Sequence, residues 1–235
     1  MSQTNNNQTD KNERRKRRKR KILVQKLVIC LFSLVIGIIV GIVITRKGLS
    51  PLGLFSRHKA TGISTTERLE HLTSAQLPDW VDVQLIPVDG VSRDATPLGG
   101  FNDIVIHYVG NPGTSAQDNH DYYCNPESSV SSHFIVGLDG EIIQCIPLNE
   151  MSAASNWRNR DTISIEVCHP DISGKFTQTT YDSLVKLTAW LKKSGRLDDG
   201  HIIRHYDITG KECPSYYVEH PDAWEDFLRD VNAYK

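Results

Sequence analysis

The sequence predicts a mixed α/β domain, a central mixed β-sheet flanked by helices, preceded by a single N-terminal transmembrane helix. Three observations predict it. Short β-branched runs recur through residues 81–204 and are interleaved with helix-period stretches at uneven spacing. Gly137-Leu138-Asp139-Gly140 separates two of those runs as a hairpin turn would. Near the start, Leu27–Thr45 (LVICLFSLVIGIIVGIVIT) carries no charge over 19 residues.

That apolar run reaches roughly 28 Å as a helix, close to the hydrocarbon thickness of a bilayer. KNERRKRRKRK stands before it, and only Arg46 and Lys47 follow. The heavier basic flank stays in the cytoplasm, which places the rest of the chain outside. A cleaved signal peptide is the rival reading, but the run exceeds an ordinary h-region and lacks an Ala-x-Ala site after it. The expected organisation is a basic cytoplasmic leader (1–21), a transmembrane anchor (22–45), a juxtamembrane stalk (46–77) and a globular domain (78–235). Ser33, Gly37 and Gly41 repeat every four residues, a spacing that lets two anchor helices approach as a weak homodimer.

Beyond the anchor, a short helical pattern at Thr65–Leu72 falls within the stalk. Strands are expected at Val81–Ile86, Asp103–Val109, Ser132–Val136, Glu141–Ile146, Thr162–Cys168 and Ile202–Arg204. Helices are expected at Thr179–Ser194, with Gly195 as its stop, and at Asp222–Ala233 behind Pro221. A shorter helix is expected over Ser115–Tyr123.

Charge narrows the function classes. The net charge of −1 hides an asymmetry: residues 1–47 hold 12 Lys/Arg against Asp10 and Glu13, leaving 15 Lys/Arg against 26 Asp/Glu in 48–235. A domain of about −11 repels phosphate backbones, so nucleic acid is not an expected partner. Four cysteines in 48–235 are too sparse for a disulfide scaffold. Cys145 and Cys168 sit in strand-like runs and read as buried apolar residues.

Chemistry concentrates in Arg204–Pro214 (RHYDITGKECP), which offers His205, Asp207, Lys211 and Cys213 on one loop. A lone His–Cys pair is weak evidence of a metal site. His107, a polar ring inside the apolar run IVIHYVGNPG, completes a set of two imidazoles and a thiol with a fourth position open. That is the ligand arrangement of a catalytic zinc.

At these residues the chain resembles the N-acetylmuramoyl-L-alanine amidases of the phage-lysozyme and peptidoglycan-recognition type, in particular the wall amidases of Gram-positive bacteria. The resemblance rests on four ordered motifs: IVIHYVGNPG (104–113), SSHFIVGLDGEIIQ (131–144), SIEVC (164–168) and HYDITGKECP (205–214). It covers roughly residues 78–235. It implies a mixed sheet with Zn²⁺ in an open groove, held by His107, His205 and Cys213, with Glu166 and Lys211 assisting catalysis. It also implies a peptidoglycan substrate and a bacterial membrane location for a chain anchored through the lipid bilayer at 22–45. A wall-binding receptor without chemistry, or a zinc peptidase acting on the stem peptide, are the other readings.

The residues agree with these roles. Glu166 lies between Ile165 and Val167, so strand alternation turns it from the apolar face. A carboxylate there can take a proton and return it to a leaving amine. Lys211 would place a cation where an oxyanion develops. One departure stands out: Ser132 occupies the place where some relatives have a tyrosine. His133 is expected to line the groove without binding metal. Asp207 could fix the ligand loop or simply make a turn, and Asn156–Arg160 could touch substrate or form a plain exposed turn.

Overall fold

The computed structural model describes residues 62–88 and 91–235. The leader (1–21), the anchor (22–45) and the stalk up to residue 61 lie outside the described residues. Among the described residues, no helix is long and apolar enough to cross a membrane.

Helix α1 (Thr65–Ser74) opens the folded unit. Ser64 Oγ accepts from Glu67 N, and Glu67 Oε2 accepts from Ser64 N, so two helix-end amides are satisfied reciprocally. Leu72 on this helix is fully buried, and Arg68 is nearly so. The stalk expected over 46–77 is therefore corrected: Gly62 onward belongs to the folded unit, because the apolar face of α1 packs into the same core as the sheet.

Six strands follow: β1 (Val81–Val83), β2 (Asp103–Ile106), β3 (Phe134–Val136), β4 (Ile142–Gln144), β5 (Thr162–Val167) and β6 (Ile202–Arg204). They form one sheet in the order β1-β4-β3-β5-β2-β6. Every neighbouring pair is parallel except β3/β4. That antiparallel pair is the expected hairpin, with Ile135 opposite Ile143. Gly140 takes φ +82° in its turn, a conformation that disfavours a side chain. The strands are shorter than the sequence suggests, yet pairing runs past their ends: His107 N donates to Ile165 O and Val109 N to Val167 O.

Helices α2 (Ala116–Tyr123), α3 (Gln178–Ser194) and α6 (Pro221–Ala233) match the expected positions. Two short helices, α4 (His205–Thr209) and α5 (Ser215–Glu219), flank the Lys211–Pro214 loop and have no apolar periodicity long enough to announce them. Gly195 does end α3, though at φ −88° rather than in the left-handed region. Glycine is required there for space: a Cβ would come within 2.2 Å of the Phe101 ring.

The sheet has two covered faces. Ile104, Ile106, Ile163, Ile165 and Val167 point to one face and pack with α1, α3 and α6. Ile135, Ile143, Cys145 and Cys168 point to the other, under α2. Both cysteines are fully buried, as expected of apolar residues, and they and Cys213 are free thiols. Period-2 alternation then carries His107 and Glu166 onto the α2 face at the carboxyl ends of β2 and β5.

Candidate metal centre

Three adjacent parallel strands deliver the site. His107 follows β2, Glu166 lies near the end of β5, and His205 begins α4 directly after β6. Cys213 comes back from the loop beyond α4, where its carbonyl accepts from Tyr206 N. Ligand atoms of His107, His205 and Cys213 lie within 4.8 Å of one another, and all three residues are buried. Cys213 Sγ is 3.9 Å from His107 Nδ1, and the two imidazole centroids are 4.7 Å apart.

The remaining ring nitrogens are tied down. His205 Nε2 donates to Asn156 Oδ1 (2.9 Å), which leaves its lone pair on Nδ1. His107 Nε2 lies 3.2 Å from Ser155 Oγ, leaving Nδ1 toward the thiol. Outer contacts of this kind orient imidazoles for a metal. Burial, then His205 and Lys211, hold His107 well below the usual imidazole range, and burial with Lys211 lowers His205. Both rings are therefore neutral and able to donate lone pairs.

Burial pushes the Cys213 thiol up to about 12, with the nearby Glu166 adding to it. Glu166 Oε1 stands 3.8 Å from His107 Nδ1. Its Oε2 is buried without a hydrogen-bond partner, and burial raises the carboxyl to about 8 against the opposing pull of Lys211. A sealed thiol and an orphaned carboxylate oxygen beside two neutral imidazoles are disfavoured as anions until a cation joins them. Nitrogen and sulfur donors in this number suit zinc among the common divalent ions. The donor set fits the metal.

The three candidate ligands, Glu166, Lys211 and Tyr123 line one pocket of about 90 Å³. It adjoins a groove of about 650 Å³ that shares Tyr108, Tyr123, Val130, Glu166 and Lys211 and continues along α2. All five residues singled out from the sequence thus meet at one place. Others do not. His133 is fully buried instead of lining the groove: Ser164 N donates to its Nδ1 and its Nε2 donates to Glu150 O. Asp207 touches no ligand ring. It accepts from Arg204 N and guanidinium, holding the start of α4 and with it His205. In the Asn156–Arg160 loop, Arg158 pairs with Asp103 and Asp161, Asn156 positions His205, and Trp157 is 62 % exposed.

Ser155 and Tyr123 were not legible as site residues, and Asn156 was legible only as part of a possible substrate loop, not as the partner of His205. Ser155 and Asn156 lie 48 and 49 positions from the histidines they touch, and a Ser-Asn pair in a turn signals nothing by itself. Tyr123 reaches the pocket from α2, its hydroxyl 3.5 Å from Ser132 Oγ.

Fold and site together define a mixed α/β domain with a His-His-Cys centre and a neighbouring carboxylate at the carboxyl edge of a mostly parallel sheet. The family model for N-acetylmuramoyl-L-alanine amidase matches residues 99–216. The chain belongs to that N-acetylmuramoyl-L-alanine amidase family. Among curated proteins it is 31 % identical over 169 residues to the N-acetylmuramoyl-L-alanine amidase BlyA of Bacillus subtilis (strain 168), covering 63 % of this chain and 46 % of BlyA. It is 28 % identical to the N-acetylmuramoyl-L-alanine amidase CwlL of Bacillus licheniformis, covering 63 % and 45 %. The chain spans about half the length of these curated relatives. The solved catalytic domain of XlyA superposes with a TM-score of 0.56 at 26 % identity, over 64 % of this chain and 98 % of that one.

Proposed function

We propose that the chain hydrolyses the amide joining the lactyl group of N-acetylmuramic acid to L-alanine in peptidoglycan, as a zinc enzyme. One observation carries the reading: a His107/His205/Cys213 cluster within 4.8 Å, beside the buried Glu166 carboxyl, in a chain of this family. Bound zinc would supply Lewis acidity for the amide carbonyl and an acidified water at neutral pH.

The chain's own groups do the rest. Glu166, buried beside His107, can accept a proton once a bound cation favours its anion and then release it, as the attack on the carbonyl and the departure of the alanine amine require in turn. Lys211 lines the same pocket and places a positive charge where the carbonyl oxygen becomes anionic. Asn156 and Ser155 hold the imidazoles in orientation. The groove along α2 offers room for the sugar and stem peptide on either side of the scissile bond.

The proposal includes attachment to the outer face of a bacterial cell membrane through residues 22–45, N-terminus inside. Support comes from the 19-residue charge-free run and its basic flank. A small-residue repeat in that run supports a weak dimer.

The full-length chain incubated with purified walls is expected to release free alanine amines and no new reducing ends. New reducing ends would show glycosidic cleavage, and new amines on other stem residues would show a peptidase. A zinc-free chain that binds wall without cleaving it would replace the enzyme with a receptor.

A further inference from the structure

We propose a second ligand site: a groove on the outer side of α3 that binds a sugar polymer carrying phosphate groups along its length. The groove holds about 520 Å³ and is lined by Trp80, Trp190 and Tyr234 together with Lys186, Lys193 and Lys235. It shares no lining residue with the metal pocket or the groove beside it. The inference does not draw on amide hydrolysis.

Charge is the first argument. Residues 62–235 hold 13 Lys/Arg against 26 Asp/Glu, yet three lysines and no Asp or Glu side chain line this groove. None of the three lysines is ion-paired among the described residues. Lys192 alone on this stretch is engaged, with Asp199 and Asn232. A concentration of unpaired cations on a domain of opposite sign selects an anionic ligand. All three are lysines and none is arginine. The ammonium is a point charge suited to phosphate, whereas planar pairing with carboxylate favours the guanidinium fork.

Aromatic side chains are the second argument. Trp80 and Trp190 are half-buried, packed against the core and lining the groove, with the Lys186 ammonium over the Trp80 ring. Neither is stacked on another aromatic ring, and neither indole N–H has a protein acceptor among the described residues. Tyr234 is 47 % exposed at the rim. Flat apolar faces with unused N–H and O–H donors match the C–H face and hydroxyls of a sugar ring. The Lys186 ammonium stands 4.2 Å from the Trp80 ring centroid, which fixes one cation directly beside an aromatic face. A ligand must therefore present a sugar face and an anion within a few ångströms of each other. Recessed tryptophans in a concave groove suit a polymer segment better than a flat bilayer, into which aromatic side chains must protrude.

The test uses the full-length chain and glucosylated poly(glycerol phosphate), which contains no amide to hydrolyse, with binding measured by calorimetry. The polymer is expected to bind with salt-dependent affinity. The same polymer without sugar, and a neutral N-acetylglucosamine oligomer, should each bind roughly tenfold more weakly or worse. Lys193→Glu, an exposed change, and Lys186→Gln should together reduce affinity roughly tenfold or more while cleavage of a small soluble muropeptide is unchanged. Tyr234→Ser gives an aromatic test at an exposed position, should Trp190→Ala unfold the chain. Unchanged affinity in the lysine variants would overturn the site. Equal binding of the sugar-free polymer would reduce it to a phosphate patch and overturn the glycan assignment. Lysine-dependent binding to phosphatidylglycerol vesicles with none to the polymer would make the face a membrane contact and overturn it as well.

Discussion

Acid should destabilise this fold through a single buried ring, His133. The imidazole is fully buried, with Ser164 N donating to Nδ1 at 3.1 Å and Nε2 donating to Glu150 O at 2.9 Å. One nitrogen must accept and the other must donate, so the neutral ring fits and the doubly protonated ring would set N–H against N–H. Burial is the leading reason that its pKa falls from 6.5 to about 4, with the Glu150 carbonyl opposing. The unfolded chain takes up a proton near pH 6.5 and the folded one only near 4. The ring's contribution is thus fully present above pH 6.5 and is lost as pH falls through the window to about 4. At 1.36 kcal/mol per unit, the loss amounts to about 3 kcal/mol. Urea unfolding of the wild type and His133→Gln at pH 7, 5.5 and 4 (roughly spanning that window) isolates the effect, because other titrating groups are common to both proteins. The stability difference between them should shrink by about 3 kcal/mol from the neutral to the acid end. Parallel stability curves would refute the reasoning.

Four further outcomes follow from the site and the core. Cys213→Ser should lower bound zinc from about one ion per chain and abolish wall hydrolysis, read by metal analysis and amine release. Glu166→Gln should retain zinc while kcat falls by about 10²- to 10⁴-fold, since proton transfer is lost and the ligands are not. Asn156→Ala should weaken zinc about 10- to 100-fold in a chelator competition, because His205 Nε2 loses its acceptor. Leu72→Ala should destabilise the domain by about 2–5 kcal/mol in urea, an effect that a residue in a solvated stalk would not have.

The comparison of sequence with structure turns on range. His107 and Glu166 were legible because alternation along a strand is local, and each polar residue stood out between β-branched neighbours. The hairpin at Gly137–Gly140 was legible for the same reason. Thr65–Leu72 showed its helical pattern but not its burial, since the surface that covers Leu72 comes from α3 and the sheet, far along the chain. His133 looked like a groove residue because it lies inside the 131–144 motif; only the partners Ser164 and Glu150, 31 and 17 positions away, reveal it as a core histidine. Asn156 acquires meaning only when β6 brings His205 beside it. Local pattern thus indicates which face a side chain takes, and tertiary pairing decides what it meets there.

The order β5-β2-β6 has a consequence for how the chain is put together. Those strands are separated by some of the longest connections in the domain, yet they end side by side and contribute Glu166, His107 and the lead-in to His205. No fragment ending before residue 202 can contain the complete His-His-Cys set, so the cluster that could hold a metal forms only once β6 has docked at the sheet's edge. A bound ion would then act as a clasp on the finished sheet, stabilising the folded chain by RT ln(1 + [L]/Kd), about 4 kcal/mol at a thousandfold excess over Kd. Loss of the ion would loosen first the segment after β6 that carries two of the three donors, His205 and Cys213, so a chain starved of metal would be an easier target for proteolysis at its carboxyl end.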